Sequence, residues 1–291
     1  MQPIHHQPVR RPLDTRRPLD TCRQHWQHGP IDLIIEAWGD DAAIARAFNA
    51  AWQRFETVLP ELVAELAVLR QPVDVHRCLS GRVAQRMQDA CRLHSTQFIT
   101  PMAAVAGGVA DEICAHFANQ PGITKAYVNN GGDIALHLRT GESLTVGVID
   151  HPQKSRQAGS VTINSSMPVR GIATSGWRGR SFSLGIADSV TVLAASAAAA
   201  DAAATMIANA VNADHPAIVR APANTLKDDT DLGARLVTVE VPPLPPMVVA
   251  EALGAGLAEA GSCVTRGLIY SALLLLQGEF AETGAALKLA A

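Results

Sequence analysis

Asp201, Thr205 and Asn209 recur at intervals of four in the segment SAAAADAAATMIANAV, residues 196–211. On a helix this spacing puts all three on one broad face of an otherwise apolar rod. A carboxylate there is costly to bury unless it is paired, hydrogen-bonded or bound to a cation. Asp201 and Thr205 offer two oxygens one turn apart, a pattern that can hold a hard cation such as Mg²⁺ completed by water and substrate phosphates. The same pattern also fits a solvated polar stripe.

Three further segments carry polar groups in unusual settings. In YVNNGGDI a strand delivers Asn129, Asn130, Gly131, Gly132 and Asp133 at its carboxyl end. The glycines allow positive φ and close backbone approach, so the turn can cradle a ligand or simply close a hairpin. In TPMAAVAGGVAD, residues 100–111, small side chains on consecutive turns allow tight packing or an anion at a helix N-terminus. In GIATSGWRGRSFS, residues 171–183, the loop carries Thr174, Ser175, Gly176, Arg178 and Arg180, and its arginines can clamp a phosphate or carboxylate.

Other chemistries find little support. The ten histidines are scattered without metal-ligand spacing, so no zinc centre is expected. The five cysteines lack a CxxC pair, and Cys263 reads as an inert buried thiol rather than a nucleophile. No GxSxG elbow, Walker A motif or GxGxxG is present. A formal charge of -3 gives no electrostatic case for nucleic acid. The apolar runs at 192–200 and 268–276 are too short to span a bilayer, and a reduced, cytoplasmic location without membrane contact is expected.

The elements that must position these groups are predicted as follows. An exact tandem hexapeptide, RRPLDT at 10–15 and 16–21, suggests that residues 1–27 form a flexible arm, able to reach a second subunit in a homodimer. Residues 28–291 are read as a single domain. Short strands at 22–26 and 31–37 suggest a hairpin. A long helix follows, with Asp41 as its N-cap and Ile44, Phe48, Ala51, Phe55, Val58 and Leu62 on its apolar face. Pro60 is expected to kink or end it. Helices are further expected at 83–91, 102–118, 196–210 and 247–260. Strands are expected at 126–128, 134–138, 144–149, 160–164, 169–173, 189–193 and 237–241, with a final strand at 268–276. The order implies an α+β domain of antiparallel or mixed sheets packed with helices. With 48% hydrophobic but only 4% aromatic residues, its core must be built mainly from Ala, Val, Leu and Ile.

Taken in chain order, AAVAGGVAD, NNGGDI, ATSG and SVTVLAASAAAADAAAT resemble the ApbE superfamily, whose best-known members transfer FMN from FAD to a protein threonine. The resemblance runs from about residue 28 to 216. The wording HGPIDLIIEAWGD, FITPMAAVAGGVADEI and LGIADSVTVLAASAAAADAAATMIAN is similar to the shorter cytoplasmic ApbE-like branch. In the transferases an Asp and a Thr of a D-x-x-x-T helix, with one backbone carbonyl, hold the metal. Carried over, these fall on Asp201, Thr205 and Ala104. The transferases read D-x-G-x-x-A-K-G in the small-residue segment, and here Pro101 and Gly107 stand at the Asp and Lys positions that contact FAD. Their His-containing segment after TSG is replaced by WRGRSFSLGIADS. The resemblance implies an ApbE-like fold and a Mg²⁺-assisted enzyme acting on a flavin nucleotide, FAD or FMN, or a related small molecule. Asn129 to Asp133 with Thr174, Ser175 and Gly176 would contact the ligand, and Arg178 or Arg180 would supply the lost cation, with Arg178 counted among the catalytic residues. Two alternatives stay open: a hydrolase or lyase for a small heterocyclic or carboxylated metabolite, and a non-catalytic flavin- or partner-binding module.

Overall fold

The computed structural model describes residues 7–13, 21–74, 76–151, 156–284 and 288–289. Strand β1 (Val9–Pro12) precedes the hairpin β2 (Thr21–His28) and β3 (Ile31–Gly39). Helices α1 (Asp41–Ala64), α2 (Leu66–Leu69) and α3 (Arg82–Arg92) follow. A 3-10 turn, Pro101–Ala104, leads into α4 (Val105–Ala118). Four strands come next: β4 (Ile123–Asn130), β5 (Asp133–Leu138), β6 (Ser143–His151) and β7 (Arg156–Asn164). Then come β8 (Gly171–Ser175), β9 (Ser189–Ala194), α5 (Ala197–Ala210), β10 (Val219–Pro222), α6 (Ala223–Leu226) and β11 (Leu236–Glu240). The chain continues with α7 (Pro246–Thr265), β12 (Ser271–Leu276), β13 (Glu279–Gly284) and the short β14 (Lys288–Leu289).

Nine strands form the main sheet in the order β1-β2-β3-β4-β5-β8-β9-β12-β13. Smaller sheets pair β10 with β11 and order β14-β7-β6. All described pairings are antiparallel. The α+β architecture is therefore built on antiparallel sheets with helices packed on them. Two hairpins close through two-residue loops with positive φ at both positions: Gly131-Gly132 at 66° and 119°, and Gln277-Gly278 at 52° and 88°. This geometry matches the twist of the flanking strands and explains the Gly-Gly choice.

The core consists of two large parts and a smaller cluster around Leu136, Val161, Ile163 and Leu193. In one part, the α1 face predicted from spacing is buried, from Ile44 to Leu62, and meets Trp26, Phe117 and the first turns of α4. Here Trp26, Phe48, Trp52 and Phe55 pack with ring centroids 5.1–5.9 Å apart. In the other, Ala, Val, Leu and Ile of β8, β9, α5, α7 and β12 pack without a fully buried aromatic ring.

Several expectations are corrected. The N-cap of α1 is Asp40, not Asp41, and the helix runs through Pro60 to Ala64. Proline there removes one backbone bond, but Val58 and Leu62 on either side stay buried, and their burial carries the helix on. The expected boundary at residue 27 falls inside β2, and Val9–Pro12 is a strand paired to β2. Arg10 explains why an Arg/Pro segment joins the sheet. Its guanidinium lies 5.4, 5.7 and 5.9 Å from the rings of Trp26, Phe48 and Trp52, and its Nε donates to Gln24 Oε1. The second RRPLDT copy lies almost wholly outside the described residues. The strand expected last in the chain starts later, at Ser271, and β13 follows it. One helix, α7, is long and apolar enough to cross a bilayer by length and composition, which the two runs inspected in the sequence did not reveal. It packs Val249, Ala252, Leu253, Ala260 and Cys263 into the second core.

Candidate functional site

Helices α4 and α5 meet at a contact that only glycine permits. A Cβ on Gly107 would lie 2.3 Å from the backbone oxygen of Ala197. The two helices are then tied by their carboxylates. Asp111 of α4 accepts from the Ala197 and Ala198 amides at 2.9 Å each, while Ser196 caps α5 by accepting from Ala199 N at 3.2 Å. In the other direction, Asp201 Oδ2 of α5 accepts from Gly107 N at 3.0 Å. Each helix thus donates free N–H groups to an acid of the other.

The β4–β5 turn is fastened to the same place. Asn129 Oδ1 accepts from Gly132 N at 2.8 Å and shapes the turn. Asn130 Nδ2 donates to Ala106 O at 3.1 Å, which anchors the turn to the first turn of α4. Asp133 Oδ1 accepts from Thr174 N at 3.2 Å, and Thr174 Oγ1 lies 3.0 Å from Thr191 Oγ1. Arg180 lies against Gly131, where a Cβ would fall 1.7 Å from its Nη2. Ala104 is buried at the junction between the 3-10 turn and α4, with φ −129° and ψ 18°. Thr205 lies one turn beyond Asp201 on α5, half-buried, and its hydroxyl has no hydrogen-bond partner among the described residues.

Electrostatics set this group apart. Burial pushes the Asp133 carboxyl up to about 7, against the pull of the Thr174 amide and the Arg180 guanidinium. Asp201 is pushed well above the ordinary carboxylate range, first by burial and then by the negative charge of Asp133. The amides of Gly107 and Ala106 oppose this and do not overcome it. Asp201 has no Lys or Arg partner among the described residues. The Asp201 carboxylate, the Thr205 hydroxyl one helical turn away and the Ala104 carbonyl are all hard oxygens, the donor type that a divalent cation takes.

Of the residues singled out in the sequence, Asn129, Asn130, Gly131, Gly132, Asp133, Thr174 and Asp201 take part in these contacts, while Ala104 and Thr205 are placed next to them along α4 and α5. Arg178 does not take part. Its Nε donates to Asp188 Oδ1 at 2.6 Å and its guanidinium stacks on Trp177 at 4.4 Å. Asp188 also accepts from Trp177 Nε1 at 3.2 Å and Gln277 N at 2.6 Å, so this is a clamp between the loop and β12–β13. Gly176 serves the same region: a Cβ there would lie 2.6 Å from Asp188 O. Ser175 pairs with Val190 in the sheet. Asn209 accepts from Leu184 N at 2.9 Å and holds the loop before β9 instead of extending the Asp201 face. Asp111 was missed, although it ends the small-residue motif itself. A cleft of about 320 Å³ lined by Arg10, Cys22, Ile44, Phe48 and Asn49 shares none of these residues.

Comparison with known proteins bears on the family and the fold. A family model described as AbpE bacteria matches residues 13–282. A UPF0280 protein of Methanopyrus kandleri is 41% identical over 122 residues, 40% of this chain and 46% of that protein. A UPF0280 protein of Methanothrix thermoacetophila is 33% identical over 190 residues, 64% of this chain and 76% of its own length. The chain thus spans about half of the first of these relatives and about three quarters of the second. Among solved structures, a mutant of the flavin transferase ApbE from Vibrio cholerae superposes with a TM-score of 0.50 at 13% identity, covering 91% of this chain and 97% of that one. That likeness concerns the fold. The chain belongs to the AbpE bacteria family, and its fold is that of the ApbE superfamily.

Proposed function

We propose that the chain is a Mg²⁺-assisted enzyme acting on a flavin nucleotide. Asp201, Thr205 and the carbonyl of Ala104 would hold the cation. The observation that carries this reading is the pair Asp133 and Asp201: burial raises both pKa values, the charge of Asp133 raises that of Asp201 further, and Arg180 is the cation that draws on Asp133. When bound, the cation would offset phosphate charge and polarise the phosphoryl bond being broken. The turn of Asn129, Asn130, Gly131, Gly132 and Asp133, together with Thr174, Ser175 and Gly176, would orient the ligand. Arg180, not Arg178, would contact its phosphate, because Arg178 is spent on Asp188.

The Gly107 contact favours a second reading. A side chain at this position would collide with the Ala197 carbonyl, so a lysine cannot fill the role it has in the transferases while α4 and α5 pack this way. On that reading the site serves as a hydrolase or lyase for a small carboxylated metabolite held by Arg180.

Incubation with FAD and Mg²⁺, followed by chromatography for FMN and AMP, separates the two. Release of AMP is expected; its absence, with small carboxylates binding instead, overturns the flavin reading. Asp201→Asn should reduce Mg²⁺-dependent binding of flavin nucleotide by about 100-fold or more in calorimetry. Unchanged binding would remove Asp201 from the cation site.

A further inference from the structure

A second group of ligating side chains lies far from Asp201 along the chain, where the loop after α3 meets the last turns of α7. His94 is buried in that loop. Glu259 and Cys263 stand four residues apart on α7, so their side chains share a face. One ligand atom from each of the three lies within 4.8 Å of the others. Cys263 Sγ approaches Glu259 Oε1 at 3.9 Å, and Gln97 Nε2 donates to Glu259 Oε2 at 3.2 Å.

We propose that His94, Glu259 and Cys263 form a binding site for a thiophilic divalent cation, Zn²⁺ by its chemistry. Imidazole nitrogen, carboxylate oxygen and thiolate sulfur make up the mixed donor set that Zn²⁺ accepts and Mg²⁺ does not. Tetrahedral bonds of about 2.0–2.3 Å place ligand atoms about 3.3–3.8 Å apart, so the observed spacing closes onto an ion by side-chain adjustment alone. Burial, with the charge of Arg266, holds His94 down at about 4, which leaves its ring neutral with a lone pair to give. Burial and Glu259 push the Cys263 thiol up to about 11. It stays protonated without metal, and its proton passes to solvent as the sulfur–metal bond forms. Glu259 is partly exposed, which leaves room for water as the fourth ligand.

The consequence is structural and concerns the two large parts of the core. Cys263 belongs to the Ala/Val/Leu core, and His94 sits in the loop that links α3 to α4 in the aromatic one. Arg266 donates to Leu93 O at the same junction, so a bound ion would reinforce an existing tie. The donors also differ from those of the cation site proposed at Asp201, which are all oxygen, whereas here they are nitrogen, oxygen and sulfur.

Titration of the full chain with Co²⁺ under reducing conditions tests this. The expected result is one thiolate-to-cobalt charge-transfer band per chain, accompanied by intense visible bands of tetrahedral Co²⁺ and displaced by Zn²⁺. Cys263→Ser should abolish the band, and Glu259→Gln, a partly exposed change that spares the fold, should weaken Co²⁺ binding about 10-fold or more. Asp201→Asn should leave the band intact. Absence of the band in the wild type, or its survival at full strength in Cys263→Ser with an unaltered circular dichroism spectrum, would overturn the assignment.

Discussion

Glu112 and Asp201 sit on neighbouring helices, Glu112 fully buried and Asp201 half-buried, and their charges meet opposite fates. Glu112, 1% exposed, accepts from Arg54 Nε at 2.9 Å and Arg86 Nε at 3.1 Å, with Arg82 3.6 Å away. Burial pushes its pKa up, the arginines outweigh it, and the group is held below its ordinary value. Asp201 has amides for partners and Asp133 for a neighbour, and its pKa goes up. Desolvation is common to both. What differs is whether the chain itself supplies the countercharge. Where it does, the acid ties α1, α3 and α4 together; where it does not, the acid stays without a countercharge, the condition on which the proposed cation site rests.

The comparison breaks most visibly on substitution. Glu112→Gln leaves Arg86 without its buried partner and Arg54 with Glu61 alone, and should cost about 3 kcal/mol in urea unfolding without changing ligand affinity. Asp201→Asn should cost nothing in metal-free protein, because it removes an uncompensated buried acid. If Glu112→Gln proves neutral while Asp201→Asn destabilises, the two acids have been read the wrong way round.

A smaller and more diagnostic effect lies in pH. Asp133 has a folded pKa of about 7 against an ordinary 3.8. Between these values the folded chain holds a proton that the unfolded chain has lost, so stability falls as pH rises through that window. Asp201 adds to the decline. Glu112, with a lowered pKa, acts with the other sign: its contribution is present above its unfolded pKa and is lost as pH falls through its folded value. Thermal melts in EDTA should therefore decline from about pH 4 to 7, melts in saturating Mg²⁺ should not, and Asp133→Asn should flatten the EDTA curve. A profile insensitive to both Mg²⁺ and Asp133→Asn would remove the basis for a cation at this site.

The sequence made visible what depends on local periodicity. The stripe from Ile44 to Leu62 is buried as its spacing predicts, and Asp201 lies on α5 among buried alanines. Glycine pairs in a helix and in a turn signalled close backbone approach, and Gly107 against Ala197 and Gly131 against Arg180 are those approaches. What escaped was set by distant pairing. Asp111 looks like one more helical acid until α5 brings its amides to it. His94 and Cys263 show no ligand spacing because the fold, not the chain order, joins them. An Arg/Pro arm becomes a strand only because an aromatic cluster lies beneath Arg10.

Arg178 and Arg180 were equivalent as sequence, two arginines in one Ser/Gly loop, and they carry the same contrast in its mildest form. Arg178 has an internal acid, Asp188, as Glu112 has its arginines. Arg180 is exposed over the Gly131 turn, and Asp133 draws on its charge without neutralising the pair of acids. Arg180→Ala should therefore weaken an anionic ligand by about 1 kcal/mol, roughly fivefold in Kd, with little change in Tm. Arg178→Ala should leave the Kd alone and lower stability by about 1 kcal/mol, because Asp188 and Trp177 lose the group that joins them. Calorimetric Kd values and melting curves for the two variants decide between them: a loss of affinity in Arg178→Ala would return that residue to the site and assign the structural role to Arg180.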